Sequence, residues 1–498
     1  MSLVKKLANQ TVIYGLGSIL PKLLNFIILT PYLTNKFNNV EDQGLYAVHG
    51  IMYAFVGLLM ALLTLRLETT LFRFGSKKGF LEKSYSTALW ILIGVSIIAC
   101  IVIYGLATPL AGVLTKPRDE IYVKFIAFIV ALDILAALPF ARLRLKGKPF
   151  KFSFIKIANV VITIIVLLFF LEFLPSTAES GTDWAENFYD KDHRLAYVFL
   201  ANLVGSVCVV LMLIPEFLKL TRQFDRALSK KMVHYAWPLI IVGIAGIINM
   251  YSDRWLLNTL LPGNLQENEI QTGIYNACAK IAILMSLFTT AFNYAAEPFF
   301  FKQSSSNKSP QLYADIARAF TFIGCLIFLG ILFYIDLFQF LIGSNFREGL
   351  YIVPILLLSY LFLGLHYNFS VWYKINDKTK IGALIAIIGS IVSVAVNIVM
   401  IPKIGLMASA WASLFTFFTM AVLNITIGRK YYPVPYAIGR MAMLILSAVG
   451  LYYLSEFLHD TLQSPMSIKF GINTALLLAY IVLVYFYEQR FFRRILAS

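Results

Sequence analysis

Residues 273–292 read GIYNACAKIAILMSLFTTAF, a run suited to a membrane interior except for Lys280, which has no carboxylate within ten residues on either side. The rest of the chain supplies the context. Of its 498 residues, 59% are apolar and 14% are charged, and the mean hydropathy is +0.77. Soluble domains carry about 25% charged residues. Apolar runs of about 20 residues, enough to cross about 30 Å of hydrocarbon at about 1.5 Å per residue, recur from end to end. The chain therefore reads as an all-α polytopic membrane protein of about fourteen spans. They fall near 8–33, 44–66, 84–108, 120–142, 150–173, 194–215, 231–260, 272–297, 312–341, 348–372, 380–401, 404–427, 437–457 and 468–487. The first run is too long for a secretory signal and lacks a small-residue cleavage site, so it reads as a permanent span.

Basic residues test this assignment, because membrane proteins keep Lys and Arg in their cytoplasmic loops. With the N-terminus inside, thirty of the forty-two Lys and Arg fall in inner segments and nine in outer ones. Arg142, Arg144, Lys146, Lys148, Lys151 and Lys156 all count toward the inner segment after span four. Lys22, Lys124 and Lys280 lie within spans. Carboxylates lean outward, with Asp133 inside a span. This reading places both termini in the cytoplasm. The net charge of +16 reports topology and an inner surface facing anionic lipid; the basic residues are too dispersed to form a nucleic-acid surface. The longest outer loop, 175–193, is acidic and turn-rich and reads as a solvated connector, although Trp184 offers a sugar-stacking ring.

A shift of 229 residues lays GLYAV (44–48) on GIYNA (273–277) and LETTLFRF (67–74) on AEPFFFKQ (296–303). Spans 1–6 then overlie spans 7–12 in the same orientation, with two spans left over. The expected organisation is an N-terminal lobe at 1–217, a C-terminal lobe at 218–431 and a pair of additional helices at 432–498. Parallel repeats of this kind suit a transporter whose substrate path runs between the lobes.

Ionisable groups within spans cost about 2.5–3.5 kcal/mol at the centre of a helix, so they mark cavities or partners. In span eight one helical face reads Asn276, Lys280, Ile283, Leu287, Thr290, Tyr294, Glu297. In span one the face through Lys22 reads Thr11, Gly15, Ser18, Lys22, Asn25. These stripes make Lys22, Asn25, Lys280 and Asn276 candidate cavity residues, joined by Arg254 at the outer end of span seven, beside Asp253. Asp133 is the one deep carboxylate and the candidate for ion coupling, with Arg144 on the same face as its alternative partner. Glu68 and Glu297 occupy matching inner ends of the two lobes and are candidates for gating, or for pairing with Arg66, Arg73 or Lys302. Cys100, Cys208, Cys278 and Cys325 are far apart, and the histidines lack spaced partners, so no metal site, cofactor or disulfide is expected. No nucleophile or phosphate-loop motif points to an enzyme.

In order and spacing, GLYAV with LETTLFRF, LDILAALPFARLR, HYAWPLI and SDRWLL, GIYNACAKIAIL with AEPFFF, and VNIVMIPKIGLMASA followed by KYYPVPY resemble one family over essentially the whole chain. It is that of the polysaccharide-biosynthesis flippases of the multidrug/oligosaccharidyl-lipid/polysaccharide exporter superfamily, the type that translocates O-antigen or capsule repeat units. The resemblance implies two six-helix bundles that open alternately to either side of a bacterial cytoplasmic membrane. It implies a cationic central cavity for a polyprenyl-diphosphate-linked oligosaccharide, and a lipid-facing groove formed with spans 13 and 14. Expected partners are that substrate, membrane lipid, a coupling proton or sodium ion and other polysaccharide-assembly proteins. The alternative is an ion-coupled exporter of small amphipathic molecules, which would want carboxylates rather than lysines deep in its cavity.

Overall fold

A computed structural model describes residue 17 and residues 19–75, 79–116, 119–190, 193–221, 224–303, 309–376, 378–462 and 465–489, with the side chains at 40–41, 294–303 and 309 excepted. Every regular element among the described residues is helical. Hydrocarbon offers the backbone no hydrogen-bond partners, so each crossing must satisfy its own N–H and C=O groups. Thirteen described helices are long and apolar enough to cross a bilayer, and they match the expected spans two to fourteen. Span one lies largely outside the described residues, together with Thr11 and Ser18 of its polar stripe and with Gly15. Its described end is a π-turn at Asn25–Leu29 running into a short helix, Thr30–Lys36.

The chain packs as two compact units. The first, residues 1–29 and 40–273, holds α1 (Val40–Leu63), α2 (Leu67–Gly75), α3 (Leu81–Gly105), α4 (Glu120–Leu145), α5 (Pro149–Leu168), α6 (Arg194–Phe217) and α7 (Arg226–Leu260), and the opening turns of α8 (Leu265–Gln303). α4 lies at its centre, packed against α1, α2, α3, α5 and α6. Its sequence is apolar on every face, as a helix surrounded by helices requires. At the basic end of this bundle the Arg142 guanidinium is buried between Glu82, at 2.9 Å, and Glu216, with the Tyr85 ring 5.0 Å away. Lys146 reaches Glu82 at 2.7 Å and Lys151 reaches Glu216 at 3.1 Å, so one ionic network joins α3, α4, α5 and α6.

The second unit, residues 30–39 and 274–498, holds the rest of α8, then α9 (Ser309–Phe333), α10 (Val353–Phe369), α11 (Thr379–Ile404), α12 (Leu406–Tyr431), α13 (Ile438–Leu462) and α14 (Met466–Tyr487). α13 and α14 dock on α9. There Asn473 donates to the Phe333 carbonyl at 2.7 Å, and buried Arg318 pairs with Glu488 just beyond α14. By packing, α7 belongs with the first unit, against α1, α2 and α3, and the division falls after Gly273. The lobes expected from the repeat are defined by sequence correspondence, and their boundaries are a different division.

Two local expectations change. The connector 175–193 contains two short helices, Leu174–Glu179 and Asp183–Phe188, with Trp184 exposed between its ends. Span nine stops at Phe333 rather than near 341, and a 3-10 segment, Ser344–Ile352, leads into α10. Pro354 in the first turn of α10 fixes where the α-helix begins, since its missing N–H is no loss there.

Candidate functional site

The charged interior of the first unit begins at a break in a membrane-crossing segment. Thr64 Oγ1 closes the last turn of α1 on the Met60 carbonyl at 2.7 Å. Leu65 and Arg66 then both adopt φ of 49°, a left-handed conformation that costs an L-residue about 1–2 kcal/mol. The chain resumes as α2. This break places the Arg66 guanidinium against the backbone of Gly243 in α7, where a Cβ would stand 2.6 Å from Arg66 Nε. Only glycine leaves that space. Arg66 Nε is buried and has no hydrogen-bond partner among the described residues. Two residues on, Glu68 lies within electrostatic reach of Arg144, Lys156 and Arg66.

Asp133 enters from α4. Ser206 Oγ on α6 donates to its Oδ1 at 2.9 Å, and its cationic neighbour is Lys156 of α5. Lys156 faces both Asp133 and Glu68, with its ammonium 4.2 Å above the Phe140 ring. Arg144, the alternative partner offered for Asp133, instead sits over the Phe72 ring at 4.8 Å and lies within electrostatic reach of Glu68. The reason is distance. Eleven residues return to the same helix face but rise about 16 Å along it, at about 1.5 Å per residue. Arg73 is likewise engaged elsewhere, 4.1 Å over the Tyr235 ring.

The other candidates are placed as follows. Lys22 and Asn25 are exposed on one face of the first unit's opening segment. Asp253 and Arg254 form a buried ion pair at 2.8 Å, and Arg254 also lies 5.1 Å from the Tyr251 ring. In the second unit Lys280 is half-buried on α8, and one turn earlier Asn276 is buried with neither amide atom hydrogen-bonded among the described residues. Glu297 lies on α8, with its side chain outside those described, as is that of Lys302. Lys124 pairs with Glu120 at 2.8 Å, one turn away. The described residues contain no cluster of three His, Cys, Asp or Glu that could hold a metal.

The sequence singled out Asp133 and Glu68 and offered Arg66 as a partner of Glu68, but Lys156, counted with the loop after span four, was missed as the cation near both carboxylates. The signal for Lys156 was present: Ser153, Lys156, Asn159 and Thr163 form a polar stripe on a helix that is otherwise apolar beyond Lys151. Asn159 and Thr163 close on Gly205 of α6, which fixes the face that α5 presents. Arg66 and Lys156 balance Glu68 and Asp133, and exposed Arg144, within reach of Glu68, adds one positive charge at the edge of the group. A cluster with a cation at its edge and an unfilled guanidinium donor is chemically fitted to hold an anion.

The fold itself is that of known membrane transporters. It matches the structure of the lipid II flippase MurJ in an inward closed conformation with a TM-score of 0.74, at 15% identity, over 96% of this chain and 99% of that one. It matches an inward-facing multidrug resistance MATE family transporter of the MOP superfamily with a TM-score of 0.63, at 13% identity, over 87% of this chain and 98% of the other. Residues 7–304 match the family described as polysaccharide biosynthesis protein, and the chain belongs to that family. No curated protein matches the sequence.

Proposed function

We propose that this protein is a flippase that carries a polyprenyl-diphosphate-linked oligosaccharide from the inner to the outer leaflet of a bacterial cytoplasmic membrane by alternating access. The observation that carries this reading is Arg66, half-buried, whose buried Nε is an unfilled donor beside a charged cluster with exposed Arg144 at its edge. A guanidinium suits phosphate oxygens because its planar fork donates to two at once. Lys156 is positioned to exchange Asp133 and Glu68 for the same anion as it passes. Family membership and the flippase-like fold support a lipid-linked substrate.

In this reading the repeat lobes, 1–217 and 218–431, are the moving halves, and the helices at 432–498 border a groove for the polyprenyl tail. Lys22 with Asn25, Lys280 with Asn276, and Arg254 extend the cationic path. Asp133 is the coupling residue for a proton or sodium ion, with Glu68, Glu297 and Asp253 at the gates. Both termini are cytoplasmic, and the transport cycle forms no covalent intermediate.

The alternative, an ion-coupled exporter of amphipathic molecules, draws support from the MATE-like fold. It would use Asp133 and Glu68 to attract a cationic substrate, but Lys156 already faces both. The test is surface-polysaccharide production by cells whose only copy carries Arg66→Ala or Arg66→Lys. Arg66→Ala should reduce it about tenfold or more, the scale of one lost charge-assisted hydrogen bond, and Arg66→Lys should restore part of it. Full production by Arg66→Ala at normal expression would exclude Arg66 from the path.

A further inference from the structure

The first unit contains a second polar site, chemically unlike the basic interior. A cleft of about 700 Å³ is bounded by the start of α1, the segment between α3 and α4, and the first turns of α8. Its polar lining comprises Lys116, Asp119, Asn264, Gln266 and Glu269, with Val48 on the apolar side. The volume falls within the range of about 300–1,000 Å³ usual for small-molecule sites.

Asp119 is the informative residue. It is only 6% exposed, its amide is fixed on the Lys116 carbonyl at 2.9 Å, and its Oδ2 has no hydrogen-bond partner among the described residues. Beside it Glu269, 4% exposed, forms an ion pair with Lys116. Asn264 is also fixed, its Oδ1 accepting from Glu267 N at 3.0 Å. A buried carboxylate oxygen left without a donor is costly, so the cleft lacks a hydrogen-bond donor that a ligand could bring.

Charge decides what kind of ligand. Among the described lining residues two carboxylates stand against one ammonium, a balance that does not favour a diphosphate. Two carboxylates, one of them paired with Lys116, are too few for a metal ion, which needs several ligands, and the described residues hold no group of three His, Cys, Asp or Glu. Hydroxyl groups fit: they donate to Asp119 Oδ2 and accept from Lys116 and the Gln266 amide. We infer that this cleft is a saccharide subsite that takes the hydroxyl-rich end of the transported oligosaccharide, with Asp119 as its principal acceptor. The inference rests on the flippase reading. In the orientation proposed above the cleft opens to the outer side, so the sugars are held there while the diphosphate leaves the interior.

The test uses purified full-length protein with Leu265→Cys as a reporter at the rim and the four native cysteines replaced. The probe is the repeat-unit oligosaccharide released by mild acid from the cell's own polyprenyl-linked pool, free of lipid and diphosphate. It should slow maleimide labelling of the reporter. Asp119→Asn should raise the half-protecting concentration about tenfold or more, and Asp119→Glu should raise it less. Size-exclusion profiles check that each variant is folded. Absence of protection in the reporter protein, or equal protection in a folded Asp119→Asn protein, would overturn the subsite. Equivalent protection by sodium or calcium chloride alone would overturn it in favour of an ion. Transport of the intact lipid-linked oligosaccharide, measured on the same preparation, separates the two claims: transport without protection removes the subsite alone, whereas loss of transport in the native protein removes the flippase reading.

Discussion

Lys156 is the residue on which the charged interior turns. It lies within electrostatic reach of Asp133 and Glu68 at once, so removing its charge leaves Asp133 without its cationic neighbour, while Glu68 keeps Arg144 and Arg66. Removing one of two opposite charges in a shielded setting leaves the other uncompensated, whereas neutralising both removes the imbalance. Lys156→Met should therefore destabilise the protein in detergent, and adding Asp133→Asn should recover a large part of that loss. Chemical denaturation of the single and double variants measures both values. A Lys156→Met protein as stable as the native one would show that the three groups do not depend on one another. Lys156 was hidden by the counting that otherwise served well. Pooling it with the loop after span four reproduced the inside–outside asymmetry, but α5 begins at Pro149 and carries Lys156 two turns into the helix. Its polar stripe, rather than its distance from the loop, held the information.

At the scale of elements, the boundary between α1 and α2 and its fit against α7 set the position of Arg66. The residues TLRLE at 64–68 include neither glycine nor proline, so the break and its two left-handed residues had no signature to read. It is imposed by packing against α7. Gly243 provides a sharp test, because its neighbour Gly246 on the same helix has open space where a Cβ would go. Gly243→Ala should displace the Arg66 guanidinium and lower transport about as much as Arg66→Ala, with little loss of stability because a flexible side chain gives way. Gly246→Ala should transport normally. Transport assays and melting curves on the two variants check this; equal transport by both would mean that the approach of Arg66 to Gly243 is not used. The spanning helices themselves were legible to within a few residues, because a hydrocarbon environment leaves the backbone few alternatives. Span nine was overestimated because the apolar residues after Phe333 continue through the short helices and 3-10 turns that follow.

At the scale of the whole molecule, the asymmetry of basic residues makes a direct prediction of orientation. In intact spheroplasts, a cysteine at Asp183 should react with an impermeant reagent, and one at Lys148 should react only after the membrane is opened. The reverse pattern would invert the molecule and place the saccharide cleft on the cytoplasmic side. The fold, a helical transporter architecture, was legible as a whole. The candidate site was legible only in part, because helix faces identify which residues share a stripe but not which stripes meet.

The central claim is that the protein moves an anionic lipid-linked oligosaccharide by means of its basic interior. The most direct measurement is leaflet exchange in proteoliposomes loaded with polyprenyl-diphosphate-linked oligosaccharide, read as the fraction of sugar exposed to an impermeant glycosidase over time. The native protein should raise that fraction well above protein-free vesicles, Arg66→Ala and Lys156→Met should each slow it about tenfold or more, and Arg66→Lys should fall between. Exchange no faster than in protein-free vesicles, or exchange unaffected by either substitution, would contradict the account.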